Sequence, residues 1–225
     1  MKDKQIKNDL REVYNDIASD FSHTRVYPWQ ELQVFIPYIK DNFKILDLGC
    51  GNGRLLKSFT PLDKKIHYLG LDFSEELIDK AKTNHPGAKF IVADMLEADF
   101  NPDSFDMVFM IAAFHHIPTK RERLELLYKI NRWLKPGGYL FMTNWNLWQR
   151  RYIKYALEKF WSKHSWKDFF IPWRSDKDKV HWRYYHSFGI GELTWLLNKT
   201  HFELNPEGVY KTKYNINAFV KKPKK

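Results

Sequence analysis

The chain of 225 residues favours one large domain or one domain with an insertion. Its composition, 44% hydrophobic and 28% charged, is typical of a globular protein and excludes collagen, coiled-coil and disordered chains. Lysine and arginine total 37 against 27 for aspartate and glutamate, and this net charge of +10 favours contact with a polyanion such as nucleic acid.

Three features that the sequence lacks bear on the cellular compartment of the protein. Cys50 is the single cysteine, so no internal disulfide can form. The longest apolar run, 107–117, is shorter than the roughly 20 residues of a membrane span. The charged start of the chain, 1–17, lacks the apolar stretch of a secretory signal. We therefore expect a cytoplasmic protein without a membrane partner.

The predicted elements change character at residue 44. Before it, apolar residues recur at helical spacing, which predicts a helical cap over 1–43. After it, short apolar runs alternate with helical segments, and this alternation predicts parallel strands joined by helices. The predicted strands are 44–48, 68–71, 89–93, 105–111 and 139–143, and the predicted helices include 75–84, with Ser74 as its cap, and 120–133.

The alternation fails between residues 145 and 188. Six of the nine tryptophans fall between Trp145 and Trp182, and we interpret this segment as an aromatic and basic insertion at the carboxyl edge of the sheet. A last helix over 191–199 and an antiparallel pair, 202–210 and 215–222, would close the fold. The chain is thus predicted to be one α/β domain, with a cap (1–43), a core (44–144), the insertion (145–188) and closing elements (189–225).

The most informative run is Asp47-Leu48-Gly49-Cys50-Gly51-Asn52-Gly53, directly after the first predicted strand. Its glycines allow a tight turn and the close approach of a ligand to backbone N–H groups. Dinucleotide-binding folds share this feature, but Arg54 stands where their third glycine would be. Asp47 within the loop suits an ammonium group better than a pyrophosphate.

Two acidic residues follow the next two strands. Asp72 lies about 20 residues after the loop, the position from which a carboxylate accepts both hydrogen bonds of a ribose diol. Asp94 closes the third strand, where a carboxylate can accept an exocyclic amino proton, and Met95 beside it can pack on an adenine face. Because the carboxyl ends of parallel strands meet at one edge, we expect these side chains to line one site. Taken one at a time, ordinary solvated acids are the alternative.

Together, the loop, the two acids and the turn Leu134-Lys-Pro-Gly-Gly138 resemble the class I S-adenosylmethionine-dependent methyltransferases, over about residues 44–143. The resemblance implies a Rossmann-like, mostly parallel seven-stranded sheet with helices on both faces, and S-adenosyl-L-methionine as cofactor. We assign no metal ligands. The cofactor-binding residues that the resemblance implies are Tyr14, Arg25, Asp47, Gly49, Cys50, Gly51, Asn52, Gly53, Asp72, Phe73, Asp94, Met95 and Ile111.

Three runs outside this core indicate a particular family within the class. They are Phe21-Ser-His-Thr-Arg25 with Pro28-Trp29, Phe170-Ile-Pro-Trp-Arg174 and Arg183-Tyr-Tyr-His186, and two runs inside the core, His115-His116 and Thr119-Lys-Arg-Glu-Arg123, belong to the same pattern. With the core, they resemble the tRNA wobble-uridine carboxyl methyltransferases, which esterify the carboxylate of 5-carboxymethyluridine. The resemblance implies the tRNA anticodon loop as partner and a small zinc-containing activator subunit, as in related members. It implies catalytic roles for Arg25, His116, Arg183 and His186, and substrate contacts for Trp29, His115, Trp145, Trp173, Arg174 and Tyr184.

The chemistry of that reaction suits these residue types. A carboxylate is ionised at neutral pH, so its methylation requires no general base. The protein then has to position the reacting groups and exclude water, and an arginine fork can hold a carboxylate in one plane. We therefore expect the arginines and histidines to orient the uridine or its carboxymethyl group, with none of them an obligatory base.

Competing interpretations stay open at this point. A small-molecule O- or N-methyltransferase could use the aromatic insertion as a lid, and a catalytically silent tRNA-binding protein would keep the basic surface without turnover. Residues 148–185 contain ten lysines and arginines against four acids, which suits RNA phosphates, but a solvated basic face has the same composition. For single residues, simple packing of His116 and helix capping by Arg25 are the alternatives.

Overall fold

The computed structural model describes residues 2–24, 30–157, 165–174 and 179–224. The α-helices are α1 (Lys2–Asp16), α2 (Ala18–Thr24), α3 (Glu75–Asn84), α4 (Lys120–Trp133) and α5 (Ile190–Lys199). The strands are β1 (Phe43–Leu48), β2 (Ile66–Asp72), β3 (Lys89–Val92), β4 (Phe105–Ile111), β5 (Leu134–Trp145), β6 (Asp168–Arg174), β7 (Val180–His186), β8 (Glu203–Lys211) and β9 (Asn215–Lys221). Short 3-10 helices cover Gln30–Tyr38, Arg54–Ser58, Phe114–His116 and Ile153–Tyr155.

Seven of these strands form one sheet in the order β3-β2-β1-β4-β5-β9-β8. The first five strands along the chain pair in parallel, and β9 runs antiparallel to both β5 and β8. This arrangement confirms the predicted seven-stranded, mostly parallel α/β sheet with a closing antiparallel pair. It also brings the carboxyl ends of β1, β2 and β4 side by side, where an open parallel sheet holds its ligand.

The two faces of the sheet carry separate apolar cores because neighbouring strand residues point to opposite sides. Leu46 and Val108 lie on the face covered by the buried side chains of α4 and α5. Ile45 and Phe109 lie on the other face, where Phe35 from the first 3-10 helix packs edge-on against Phe109 at 4.5 Å between ring centroids. The strands are therefore buried on both sides, which explains their continuous apolar runs.

The insertion contains a regular element that the sequence pattern did not predict. Strands β6 and β7 form a separate antiparallel pair from Asp168↔His186 to Arg174↔Val180. Their inner halves are buried on both faces, so the polar and apolar alternation of a half-exposed strand is missing. The segment predicted as helix around 32–39 is instead a 3-10 helix that contains Pro37.

Two smaller observations complete the fold. The predicted cap of α3 is present, because the Ser74 hydroxyl accepts a hydrogen bond from the Leu77 N–H at 3.2 Å. In the described ranges, no helix has both the length and the apolar character needed to cross a bilayer.

Candidate active site

A cleft opens at the carboxyl ends of β1, β2 and β4, between α1 and β7. It contains residues from the predicted cap, the core and the insertion. The predicted site residues that line it are Tyr14, Gly49, Gly51, Asp72, Phe73, Met95, Ile111, His115, His116, Trp145 and Arg183. The fold therefore joins the predicted cofactor residues and several predicted substrate residues in one cavity.

The glycine loop forms the floor of this cleft. Gly49 has a φ of +75°, and a Cβ at this position would lie 2.5 Å from the Cβ of Ala113. Both the backbone conformation and the lack of space therefore exclude a side chain here. The N–H groups of Gly49 and Cys50 both donate to the carbonyl oxygen of Leu71, at 2.7 and 3.0 Å. These bonds fix the loop against the end of β2 and leave room above it for a ligand.

Asp47 carries a buried oxygen that has no partner. Its Oδ2 accepts a hydrogen bond from the Tyr68 hydroxyl at 2.7 Å, whereas its Oδ1 is buried and has none among the described residues. Burial raises the pKa of Asp47 to about 7, although the bond from Tyr68 lowers it. Such an oxygen favours a ligand that brings a cation or an N–H donor. It lies in a branch of the cleft that Gly49, Cys50 and Asn52 also line.

Asp72 holds the loop and faces the cleft. Its Oδ2 accepts from the Gly51 N–H at 2.9 Å and its Oδ1 from the Ser74 N–H at 3.0 Å. Burial raises the pKa of Asp72 to about 6, against the lowering effect of these N–H groups. Each carboxylate oxygen has a second lone pair, so Asp72 can still accept from a diol. Together with Asp47, it fits the ammonium and ribose groups of S-adenosylmethionine.

The cleft continues past Met95 toward Asp94. A neighbouring groove shares Phe73 and Met95 with the cleft and has Asp94 in its wall. One oxygen of Asp94, Oδ1, accepts from the Leu96 N–H at 2.9 Å, which fixes the carboxylate at the end of β3. The adenine contact of Asp94 and Met95 stays a prediction.

Arg183 forms the opposite wall and is enclosed by aromatic rings. Its side chain is 3% exposed, and its guanidinium lies 4.9 Å from the Trp173 ring, 5.4 Å from Tyr185 and 5.9 Å from Trp145. Among the described residues, no carboxylate forms an ion pair with Arg183, and its Nε has no hydrogen-bond partner. Burial lowers the pKa of Arg183, but the Tyr185 and Tyr14 hydroxyls raise it, and the net direction is upward. The cleft therefore holds a permanent positive charge whose counter-ion is not found among the described side chains.

The two adjacent histidines of the cleft are neutral. Burial first, and then Arg183, lower the pKa of His116 to about 3, although the Tyr184 carbonyl raises it. Burial and His116 hold the pKa of His115 well below its usual range. The Nδ1 of His115 accepts a hydrogen bond from the Trp145 N–H at 3.1 Å, so this ring is tied to the end of β5.

The structure does not bring His186 to the cleft. Its Nδ1 lies 2.7 Å from Oδ1 of Asp168 and its Nε2 lies 2.9 Å from Oε1 of Glu192, so both ring nitrogens are occupied in a buried cluster behind the cleft. The Tyr184 hydroxyl donates to the same Asp168 oxygen at 2.9 Å, and its side chain is likewise turned away from the cleft. These contacts favour a structural role for both residues in place of the predicted catalytic and substrate roles.

The remaining predicted residues differ in how they relate to the cleft. Arg174 is exposed at the end of β6, away from the cleft, while Trp173 reaches the site through its contact with Arg183. Gly53 turns the chain behind the loop with a φ of +77°. Arg25 and Trp29 lie outside the described residues, so their assignments stay predictions.

Two tyrosines of the site were not predicted from the sequence. Tyr185 lines the cleft two residues after Arg183, because alternate residues of a strand face the same side. Recognition of β7 as a strand would have found it. Tyr68 donates to Asp47 from the neighbouring strand β2, where the parallel register places Asp47 opposite Gly70. No local signal marks that tyrosine, because the contact depends on strand pairing.

Comparison with known proteins identifies the class. A family model described as a methyltransferase domain matches residues 45–138, the segment with the glycine loop, Asp72 and Asp94. A solved S-adenosylmethionine-dependent methyltransferase of Methanosarcina mazei has the same fold, with a TM-score of 0.73 and 23% identity, over 88% of this chain and 100% of that chain. The chain therefore carries a class I S-adenosylmethionine-dependent methyltransferase domain, as the loop and the two acids predicted.

The curated relatives show which methyltransferases the chain is similar to in sequence. A tRNA (carboxymethyluridine(34)-5-O)-methyltransferase of Saccharomyces cerevisiae is 32% identical over 173 residues, which are 76% of this chain. The chain spans 58% of the length of that protein and 20% of the length of a Mus musculus protein of the same enzyme name. A methyltransferase of Haloferax volcanii, solved in complex with the Trm112 methyltransferase activator, shares the fold with a TM-score of 0.64 and 16% identity, over 96% of this chain and 98% of that chain. The predicted resemblance to the wobble-uridine family is confirmed as similarity to proteins of that name.

Proposed function

We propose that the chain transfers a methyl group from S-adenosylmethionine to the carboxylate of 5-carboxymethyluridine at the wobble position of tRNA. The observation that carries this proposal is Arg183. A guanidinium that is 3% exposed is costly to bury without a counter-ion, and the described residues supply no carboxylate for it, so the cleft favours an anionic ligand. The curated relatives carry the name of this reaction, and the cleft also holds the residues that suit the cofactor.

The cofactor half of the cleft has a defined chemistry. Asp47 would bind the ammonium group, Asp72 the ribose diol, and Asp94 with Met95 the adenine. When bound, S-adenosylmethionine supplies an electrophilic methyl group on a sulfonium centre. The buried carboxylates would hold such a ligand. The loop N–H groups are bonded to Leu71 and Asp72 and keep the floor of the cleft in place.

The substrate half orients the acceptor and excludes water. Arg183 would receive the carboxylate as a hydrogen-bond fork, and the Trp145, Trp173 and Tyr185 rings shield this pair from solvent. Both His115 and His116 are uncharged at neutral pH, so neither offers the carboxylate a second positive charge beside Arg183. No proton has to move, since the carboxylate is already ionised.

The described part of the insertion supports RNA as the carrier of that carboxylate. Trp148 and Trp166 are 40% and 69% exposed, with ring centroids 5.3 Å apart, and such rings can stack on unpaired bases. The Tyr152 ring stacks on Trp145 of the cleft, and the Arg151 guanidinium lies 5.2 Å from the Tyr152 ring. An aromatic and basic surface thus runs from the cleft to the outside of the insertion.

We also propose that a small activator subunit binds the β3 edge of the sheet. Strands β3 and β8 are the two edge strands, and Ile91 and Val92 of β3 are exposed. An open strand edge with apolar side chains is a template for pairing with a second chain. The Haloferax volcanii methyltransferase of the same fold was solved with an activator, which supports a test of such a partner here.

The deciding experiment incubates the purified chain with S-adenosylmethionine and tRNA that contains 5-carboxymethyluridine, then digests the tRNA and weighs its nucleosides. A gain of one methylene group on that nucleoside is expected, with or without added activator. Arg183→Ala protein, checked for S-adenosylhomocysteine binding, is the matched control. No gain in either arm, with cofactor binding intact, would contradict the proposal. Methylation of free small acids at an equal rate would favour the small-molecule alternative.

A further inference from the structure

Four residues from three elements form a circuit of polar contacts in the wall of the cleft. The Tyr14 hydroxyl of α1 lies 2.9 Å from Nε2 of His116, and the Nδ1 of His116 lies 2.7 Å from the carbonyl oxygen of Tyr184. The Arg183 guanidinium lines the same cleft as Tyr14, and the nearby Tyr14 hydroxyl raises the pKa of Arg183. Since Arg183 and Tyr184 are neighbours on β7, the circuit begins and ends on the same strand.

The direction of each hydrogen bond follows from the chemistry of the groups. A carbonyl oxygen cannot donate, so the Nδ1 of His116 must carry a proton. Burial keeps the ring neutral, so its Nε2 has a lone pair and accepts from the Tyr14 hydroxyl. The Tyr14 proton is thereby committed, and its oxygen offers only lone pairs to Arg183. Both hydrogen bonds therefore run the same way, from Tyr14 through His116 to the backbone, and the lone pairs of the Tyr14 oxygen remain for Arg183.

This arrangement limits where an anion can bind. The Tyr14 oxygen presents lone pairs to the guanidinium, and on that side they repel a carboxylate oxygen. The aromatic rings of Trp145, Trp173 and Tyr185 enclose the guanidinium and offer no strong acceptor. A carboxylate must therefore approach the N–H groups that Tyr14 leaves unused.

We propose that Tyr14 and His116 are positioning residues that hold the Arg183 guanidinium in the orientation that receives a carboxylate. This inference rests on the proposed function and adds a role for Tyr14, which the sequence predicted as a cofactor contact. It also changes the role of His116 from a group that touches the substrate to one that acts through Tyr14. The cofactor residues Asp47 and Asp72 take no part in the circuit.

A purely structural role for Tyr14 is the alternative. Its ring packs edge-on against Phe21 and Phe73, at 5.8 and 6.1 Å between centroids, and these contacts survive replacement by phenylalanine. Tyr14→Phe therefore removes the circuit and leaves the packing of α1 in place. Tyr128→Phe is a matched control, because the Tyr128 hydroxyl donates to the Lys199 carbonyl at 2.9 Å on the outside of α4.

The test compares two anticodon stem-loop RNAs, one with 5-carboxymethyluridine and one with the uncharged 5-carbamoylmethyluridine. Their affinities are measured with S-adenosylhomocysteine present. We expect Tyr14→Phe to weaken binding of the acid about tenfold, since the polar oxygen that orients the charged guanidinium is lost. Binding of the carboxamide RNA and of S-adenosylhomocysteine should change less than about twofold, and Tyr128→Phe should change none of the three.

The outcomes separate this inference from the proposed function. If the wild-type chain binds both RNAs equally, the carboxylate function fails. If wild type prefers the acid and Tyr14→Phe prefers it equally well, the function stands and the positioning role is overturned. Equal weakening of both RNAs and of S-adenosylhomocysteine would indicate a structural role and would also overturn the inference.

A spectroscopic measurement tests the circuit without any substrate. Nitrogen-15 NMR of the His116 ring at neutral pH should show a neutral imidazole with its proton on Nδ1. In Tyr14→Phe protein, the Nε2 resonance should shift because its donor is gone. A proton on Nε2 in the wild-type chain, or an unchanged Nε2 resonance in the variant, would overturn the hydrogen-bond directions on which the positioning role depends.

Discussion

The two halves of the cleft differ in how the chain builds them. The cofactor half comes from one short segment, Asp47 to Gly53, and from Asp72 on the adjacent strand, and its contacts are largely to backbone N–H groups. The substrate half is assembled from Tyr14, His116 and Arg183, which are far apart in sequence, and its contacts join side chains. Local backbone geometry determines the first half, and tertiary packing determines the second.

The halves also differ in charge. Burial raises the pKa of Asp47 to about 7 and of Asp72 to about 6, so the cofactor half is an acidic site that gains from a cation. Burial instead lowers the pKa of His116, and the substrate half keeps Arg183 as its charge. A cationic methyl donor and an anionic acceptor are the pair of ligands that this division favours. Substitutions in one half should therefore leave binding to the other half nearly intact.

The largest effect is expected from Arg183→Ala. Loss of the buried guanidinium should lower kcat/KM for the carboxylate substrate about 1,000-fold, because a buried charge pair that loses one partner costs several kcal/mol. S-adenosylhomocysteine affinity, measured by calorimetry, should change less than about threefold. Arg183→Lys keeps the charge but loses the fork, and an intermediate rate is expected. A large loss of cofactor affinity in Arg183→Ala would contradict the separation of the two halves.

Asp72→Ala should have the next largest effect, and on the opposite half. Removal of the carboxylate loses two charged hydrogen bonds to a ribose diol and leaves the Gly51 N–H unpaired, so cofactor affinity should fall about 100-fold. RNA affinity in a filter-binding assay should stay near the wild-type value. The reverse pattern, weak RNA binding with normal cofactor binding, would rule out the ribose assignment.

A pH effect on cofactor binding should distinguish Asp47 from its neighbours. An ammonium group binds the ionised carboxylate, and the pKa of Asp47 in the free protein is about 7. Below that pH a proton must be lost on binding, so the Kd should rise toward tenfold per pH unit as the pH falls, and level off above about 8. Asp47→Asn should weaken binding at pH 8 and flatten this dependence down to about pH 6, where Asp72 begins to contribute. An unchanged pH profile in Asp47→Asn would contradict the assignment.

The smallest effect is expected at the outer surface of the insertion. Arg150, Arg151 and Lys154 are exposed there, and their joint replacement by alanine should lower RNA affinity about tenfold at moderate salt. The slope of log affinity against log salt should become shallower, because fewer phosphate contacts release counterions. Cofactor affinity is the internal control. An unchanged slope would make this surface a solvated face that does not contact RNA.

The core of the fold was predictable because its signals are local. The strands β1 to β5 show as apolar runs, and the glycine loop with Asp72 and Asp94 follows the ends of three of them. The hairpin of β6 and β7 was not predictable from alternation, since burial on both faces removes it. For the same reason Tyr185 was missed beside Arg183, although the two share one face of β7.

His116 and His186 show what a sequence pattern does not determine. His116 and His186 are both titratable residues in conspicuous runs, and the sequence predicts a catalytic role for each. Packing then separates them, because His116 faces the cleft with Tyr14 as its partner, while His186 lies between Asp168 and Glu192. The composition of a run does not determine which side of a strand or turn faces the ligand.

The sequence by itself determined the sheet, the cofactor loop and the acidic residues at its edge, because strand periodicity and glycine turns are properties of neighbouring residues. The tertiary structure alone decided that Arg183 lies buried among rings without a carboxylate partner among the described residues. It also decided that Tyr14 and His116 meet there. These contacts join three elements: α1, the turn that follows β4, and strand β7. Long-range packing brings the three elements together, and no local sequence pattern contains its energy.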